Sequence, residues 1–190
     1  MSSIPENVKI IAFVGLSGAG KSSAVDYLTA KGIPKVYFGG VVLGAMDEAG
    51  LEHTAENERI FRENLRAREG KDFVVNRIIT QIDGLVDSGQ HRIVADGLYT
   101  WTEYKILKHE YGPNLHVVAV VAPKLLRHRR LSQRPIRPLT QAEANERDWA
   151  EIENLEKGGP IAIADHFLHN THDLESLHAQ IDAVIKELDF

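Results

Sequence analysis

Cysteine is absent from the 190 residues. Disulfides, thiolate catalysis and Cys-ligated zinc are therefore excluded. Long hydrophobic runs are absent too. The longest, such as residues 117–122, fall far short of the about 20 apolar residues that a spanning helix needs, so no membrane association is expected. The stretch MSSIPENVK has neither a basic region nor a long apolar region, so no signal peptide is expected and the cytoplasm is the expected location. The nine histidines form no H-E-x-x-H motif, and the pair His169 and His172 reads as surface rather than as a metal site. No N-K-x-D motif occurs, which argues against a GTPase. Positive charge is scarce overall. The formal net charge is −5, and an acidic chain makes a poor nucleic-acid binder because such proteins draw affinity from neutralised phosphates. Any basic site must be local.

What is present is an alternation of apolar runs and helical patterns. Runs at 8–14, 35–38, 92–95, 115–121 and 166–168 read as strands. Helices are expected at 21–31, 41–48, 54–69, 72–86, 102–111, from Pro123 to about Gln133, at 140–157 with a stop at Gly158-Gly159-Pro160, and at 174–188. Strands that alternate with helices imply a mostly parallel five-stranded sheet in a three-layer α/β/α domain spanning 1–190. Two mobile elements are expected on it, a helical insert at about 40–90 and a basic lid at about 123–139.

One motif carries the chemistry. Gly15-Leu16-Ser17-Gly18-Ala19-Gly20-Lys21-Ser22 fits G-x-x-x-x-G-K-[ST] at every fixed position, between an apolar run and a helix. Such a loop curls the amides of Gly15, Ser17, Gly18, Ala19, Gly20 and the following Ser22 and Ser23 around phosphates at a helix N-terminus. Lys21 would reach the β- and γ-phosphates of ATP, and the Ser22 hydroxyl would ligate Mg²⁺. Asp96 ends an expected strand at the carboxyl edge of the sheet, where ligands bind in open α/β folds. It could order Mg²⁺ or take the acceptor's proton, and both roles stay open.

Residues 124–137 hold Lys124, Arg127, Arg129, Arg130, Arg134 and Arg137 and no acidic residue. Arg127, Arg130 and Arg134 are spaced to share a helix face, so Arg130 and Arg134 are candidates to close over the transferring phosphoryl group. The competing reading is a basic face paired with the acidic helix that follows. Arg59, Arg62 and Arg66 repeat the spacing on the charged helix. Arg62 and Arg66 could hold an anionic acceptor, or be salt-bridged to the interleaved glutamates. Tyr99, Trp101 and Tyr104 could line an acceptor pocket or pack in the core.

These residues resemble the nucleoside-monophosphate-kinase-like group of P-loop kinases, in particular dephospho-CoA kinase and its uncharacterised relatives. The likeness covers nearly the whole chain. Asp96-Gly97 is similar to the Asp-Gly of that group, and Arg130 and Arg134 to its lid arginines. Ala164-Asp165 with Asn170 resembles an Ala-Asp…Asn element after which the loop lies close to the adenine, and Arg147-Asp148 resembles the polar helix after the lid. The resemblance implies an ATP-dependent kinase acting on dephospho-CoA or a nucleoside monophosphate. The sequence departs from the pattern on the acceptor side. Gly39-Gly40-Val41-Val42-Leu43 lacks the Asp and Arg expected after strand two, and Leu98, Tyr99 and Thr100 stand where an arginine often follows Asp-Gly. Two other readings compete with a small-molecule kinase. One is a regulatory ATPase or switch without an acceptor. The other is a nucleic-acid end kinase, disfavoured by the net charge.

Overall fold

β1 (Lys9–Val14) is apolar on both faces, as a strand buried between two helical layers must be. Ile10, Ala12 and Val14 join one core, and Ile11 and Phe13 join another on the opposite side. Each fully buried side chain of this size contributes roughly 1.5–3 kcal/mol. The computed structural model describes residues 4–70 and 72–190, and for residues 55, 56, 58, 59 and 66 the backbone alone.

The sheet adds β2 (Lys35–Tyr37), β3 (Arg92–Asp96), β4 (Leu115–Val121) and β5 (His166–His169), in the order β2-β3-β1-β4-β5. Every pairing is parallel, so the expected mostly parallel sheet is wholly so. The chain leaves β1 for β2 and β3 on one side, then crosses to β4 and β5 on the other. The carboxyl end of β1 therefore lies at a topological switch point, the usual ligand crevice of such a sheet. Asp96 is in register with Phe13 of β1 and Tyr37 of β2 at the same edge.

The larger core gathers α2 (Phe38–Glu48), α4 (Phe73–Asp87) and α5 (Trp101–Tyr111) on one face. α3 (Ala55–Glu69) packs on α2 and α4 in the insert. α1 (Lys21–Ala30) and α9 (Leu174–Glu187) cover the other face. α6 (Lys124–Ser132), α7 (Gln141–Glu153) and the short α8 (Gly158–Ala162) lie between β4 and β5.

Three elements differ from the sequence expectation. α2 starts directly at Phe38, so Gly39 and Gly40 are helical. The Tyr37 ring lies against both, and a Cβ on either would come within 3.0 Å of it or closer, so glycine serves packing there rather than a turn. The helix expected at 140–157 ends at Glu153, and the glycines expected to stop it form α8. Gly159 lets α8 meet α5, because a Cβ there would sit 2.7 Å from the Trp101 ring. Lastly, α6 ends at Ser132, so Arg134 lies in the loop beyond it and does not share a helix face with Arg127 and Arg130.

Candidate functional site

Gly15, Gly18 and Gly20 have φ of 146°, 80° and 102°, a left-handed path that glycine follows without strain. Each is also closed in by its neighbours. A Cβ on Gly15 would strike the Val120 carbonyl oxygen, one on Gly18 would lie 2.7 Å from the Arg127 carbonyl oxygen, and one on Gly20 would strike the Asn170 amide. The loop is thus moulded by β4, α6 and the turn after β5, and it ends at the N-terminus of α1, which carries no acidic residue in its first turn. That is the cradle a polyphosphate requires.

Lys21 reaches back across the loop and donates to the Gly15 carbonyl at 2.7 Å. Burial pulls its ammonium down to about 8. The nearby Lys157 cation acts the same way, with Glu151 and Asp96 opposing. Burial pushes the Asp96 carboxyl above its ordinary value, against Lys35 and Lys21. Asp96, Lys21 and the loop thus face one another at the switch point. Ser22 and Ser23 open α1, Ser22 exposed and Ser23 half-buried.

The basic segment divides. Arg127 is buried, and it pairs with Asp148 of α7 through both ends of its fork, at 2.6 and 2.7 Å, while donating to the Ser17 carbonyl at 2.9 Å. His128 also contacts Asp148, at 2.9 Å. The pairing of basic face with acidic helix, weighed from the sequence as an alternative to the lid, therefore exists at the base of α6. Arg130 lies half-buried above it. Its Nη2 donates to the Asn170 side chain at 3.3 Å, and Nη1 is buried without a hydrogen-bond partner. Asn170 in turn donates to the Ala19 carbonyl at 2.8 Å. Arg130 and Asn170 thus sit against the P-loop with a buried donor left over, an orphan of the kind a bound anion satisfies. Arg134 is exposed.

Tyr99 is half-buried. Its ring folds over Gly97 (φ 95°), where a Cβ would come within 2.7 Å of it, and meets Phe38 edge-on at 6.4 Å between centroids. Burial raises its phenol well above the ordinary value. Tyr99 thus packs on the core, as the second of its two sequence readings expects, and it follows Asp96-Gly97 in the chain. Arg62 is half-buried on α3 in the helical insert, and the Arg66 side chain lies outside the described residues.

Sequence reasoning missed a second set of residues. Glu151 of α7 is buried, and its carboxylate accepts from the Ser17 amide at 2.9 Å and the Ser17 hydroxyl at 2.6 Å. Lys157, also buried, pairs with it at 3.0 Å, and Arg147 approaches at 3.4 Å. Burial would raise the Glu151 carboxyl, but Lys157 and the Ser17 hydrogen bonds outweigh it and hold the group below the usual range. The Lys157 ammonium also stands 4.8 Å from the centre of the Tyr99 ring. The stretch 141–157 gave no signal of this, because a charged helix reads as solvated. Among the described residues no group of three or more His, Asp or Glu forms a metal cluster. No helix among them is long and apolar enough to cross a membrane.

The family model described as an AAA domain matches residues 11–152. A UPF0200 protein of Thermococcus kodakarensis is 30% identical over 182 residues, which are 94% of this chain and 97% of that protein. Among solved structures, TT1252 from Thermus thermophilus superposes with a TM-score of 0.67 at 23% identity, covering 95% of this chain and 98% of that one. Shikimate kinase from Bacteroides thetaiotaomicron does so with 0.58 at 12% identity, over 96% and 99%. Dephospho-CoA kinase from Campylobacter jejuni gives 0.55 at 16% identity, over 96% and 98%. At these identities the solved structures share the fold.

Proposed function

The chain belongs to the UPF0200 family, with an AAA domain of the P-loop kinase-like fold, and from that premise we propose that it is an ATP-dependent kinase of a small, nucleotide-like acceptor. The observation that carries the reading is the cradle. Three glycines at positive φ and the half-buried Lys21 face Asp96 at the switch point of the sheet. A loop so closely enclosed by β4, α6 and Asn170 suits one polyanionic ligand, and the fold is that of proteins named as small-molecule kinases.

The P-loop amides other than those of Ser17 and Ala19, which the Glu151 carboxylate and the Leu16 carbonyl already hold, bind the donor phosphates with Lys21, and the orphaned Arg130 donor completes the anion shell beside Asn170. Ser22 and Asp96 would hold Mg²⁺, which supplies positive charge to the β- and γ-phosphate oxygens. The acceptor oxygen forms the new bond to the γ-phosphorus as the bond to the β,γ-bridging oxygen breaks, and ADP leaves with the electron pair. A hydroxyl acceptor gives its proton to the Asp96 carboxylate or, where Asp96 orders the metal, to water. Arg134, in the exposed loop between α6 and α7, reaches the site only on closure, which also excludes water. Tyr99 flanks the acceptor. Arg62 and Arg66 of the insert are the candidates for a distal acceptor anion.

The test is ADP release from ATP and Mg²⁺, alone and with dephospho-CoA, nucleoside monophosphates, nucleosides and shikimate. Stimulation by one compound, with its phosphorylated product, is expected, and Lys21→Ala should abolish it. Full turnover in that variant would sink the reading. The regulatory ATPase remains the second reading, because Leu98, Tyr99 and Thr100 offer no cation where an acceptor phosphate would need one. A rate indifferent to every acceptor would favour it.

A further inference from the structure

Glu151 and Lys157 form a buried bridge from the P-loop to the acceptor side. Ser17 bonds Glu151, Glu151 bonds Lys157 at 3.0 Å, and the Lys157 ammonium lies 4.8 Å from the Tyr99 ring centre, next to Asp96-Gly97. Lys157 is fixed at its root as well. Its amide donates to the Glu151 carbonyl at 3.1 Å, and α8 begins directly after it, locked on Trp101 through Gly159. Its positive charge is among those that pull the Lys21 ammonium down.

A tether for Glu151 alone does not explain this. A buried ion pair adds little stability over apolar packing of the same volume, and bringing a second ammonium near Lys21 costs more. Lys157 and Arg147 act as cations on Lys21, and Glu151, Asp96 and, on Lys157, Glu103 act as anions, so three cations are crowded together at the P-loop and balanced by three anions. Such crowding becomes favourable when a multiply charged anion sits between the cations. Lys21 comes from the donor side of that position, and Lys157 from the side of Tyr99.

We propose that Lys157 is a catalytic residue, its ammonium contacting the transferring γ-phosphoryl group from the acceptor side, opposite Lys21, with Glu151 as the positioning residue that holds it there. This deepens the kinase reading and rests on it. In the transfer described above Lys157 keeps its protons. It stabilises the charge on the equatorial oxygens as the group passes from the bridging oxygen to the acceptor.

The experiment is calorimetric titration of the full chain with Mg²⁺-ATP and with Mg²⁺-ADP, in the wild type and in Lys157→Met, Lys157→Arg and Lys157→Gln, with melting curves alongside. Lys157→Met should weaken ATP by about tenfold or more. ADP affinity should stay within about twofold, and Lys157→Arg should regain much of the ATP preference. Lys157→Gln keeps a donor toward Glu151 and makes the same test should the methionine variant fail to fold. Equal losses for ATP and ADP, or none for either, would overturn the proposal, because a residue acting only through Glu151 and Ser17 cannot tell the γ-phosphate apart. A wild-type chain that binds neither nucleotide would overturn the donor site and this proposal together. Normal binding of both nucleotides without any acceptor turnover would count against the kinase reading alone.

Discussion

Asp148 shows what a single side chain carries in this molecule. It neutralises the buried Arg127 and contacts His128, and Arg127 in turn supports the Ser17 carbonyl of the P-loop. Removing one partner of a buried pair leaves the other charge uncompensated, at about 3–5 kcal/mol. Asp148→Ala should therefore cost about 3 kcal/mol, or roughly 6–12 °C in melting temperature for a chain of this size. The double variant Arg127→Met/Asp148→Leu should recover much of the loss. Melting curves of the three chains decide it, and an Asp148→Ala chain that melts with the wild type would show the pair to be idle. The P-loop motif was fully legible at this scale, because its residue types are dictated by backbone geometry and phosphate chemistry. Glu151 and Lys157 were not legible. Nothing local distinguishes a glutamate that will be buried on a P-loop amide from the exposed Glu153 two positions on.

At the scale of elements, two helices owe their starts to capping boxes. Thr100 caps α5 and Thr140 caps α7, each accepting from the amide three residues on, with Glu103 and Glu143 returning the bond. Glu103 also accepts from the Tyr99 amide at 2.9 Å, so the α5 cap fixes the loop that follows Asp96. Thr100→Ala should lower stability by about 1 kcal/mol, a typical cost for a lost N-cap. Because this loop borders the acceptor side, any acceptor's KM should rise by more than nucleotide affinity falls. A chemical denaturation curve with a paired nucleotide titration checks both, and loss of nucleotide binding would show that the cap supports the donor site instead. Both boxes follow the S/T-x-x-E pattern and could be read from the chain. The end of α7 could not, because Gly158 and Gly159 resemble a stop until Trp101 is seen to need the bare backbone of Gly159.

The whole molecule is acidic, yet its site gathers cations, and its carboxylates decide how it responds to acid. Asp148, Glu151 and Asp165 are each pushed up by burial but held below their ordinary values by their partners. These are Arg127 and His128 for Asp148, Lys157 and Ser17 for Glu151, and the Val117 amide and Lys108 for Asp165. A carboxylate whose folded pKa lies below its unfolded value stabilises the fold above the unfolded pKa, about 4, and loses that contribution as the pH falls through the folded value. The contribution of these three carboxylates should be level from neutral pH to about 5 and fall progressively below about 4. Urea midpoints measured between pH 7 and 3 test this, and a midpoint that holds steady down to pH 3 would remove these three groups from the account.

The sequence by itself determined the strands, most helices, the α/β class and the P-loop. Apolar periodicity, glycine stereochemistry and the P-loop motif are properties of adjacent residues, and adjacency is what a sequence records. Tertiary structure alone decided that β1 lies between β3 and β4, that Arg127 supports the loop while Arg130 keeps a donor spare, and that Arg134 stands off the helix. It alone joined Ser17 to Glu151 and Glu151 to Lys157. Those contacts link residues more than 100 positions apart, or depend on where a helix happens to stop. Their energetics come from burial, which no single residue carries in its own name.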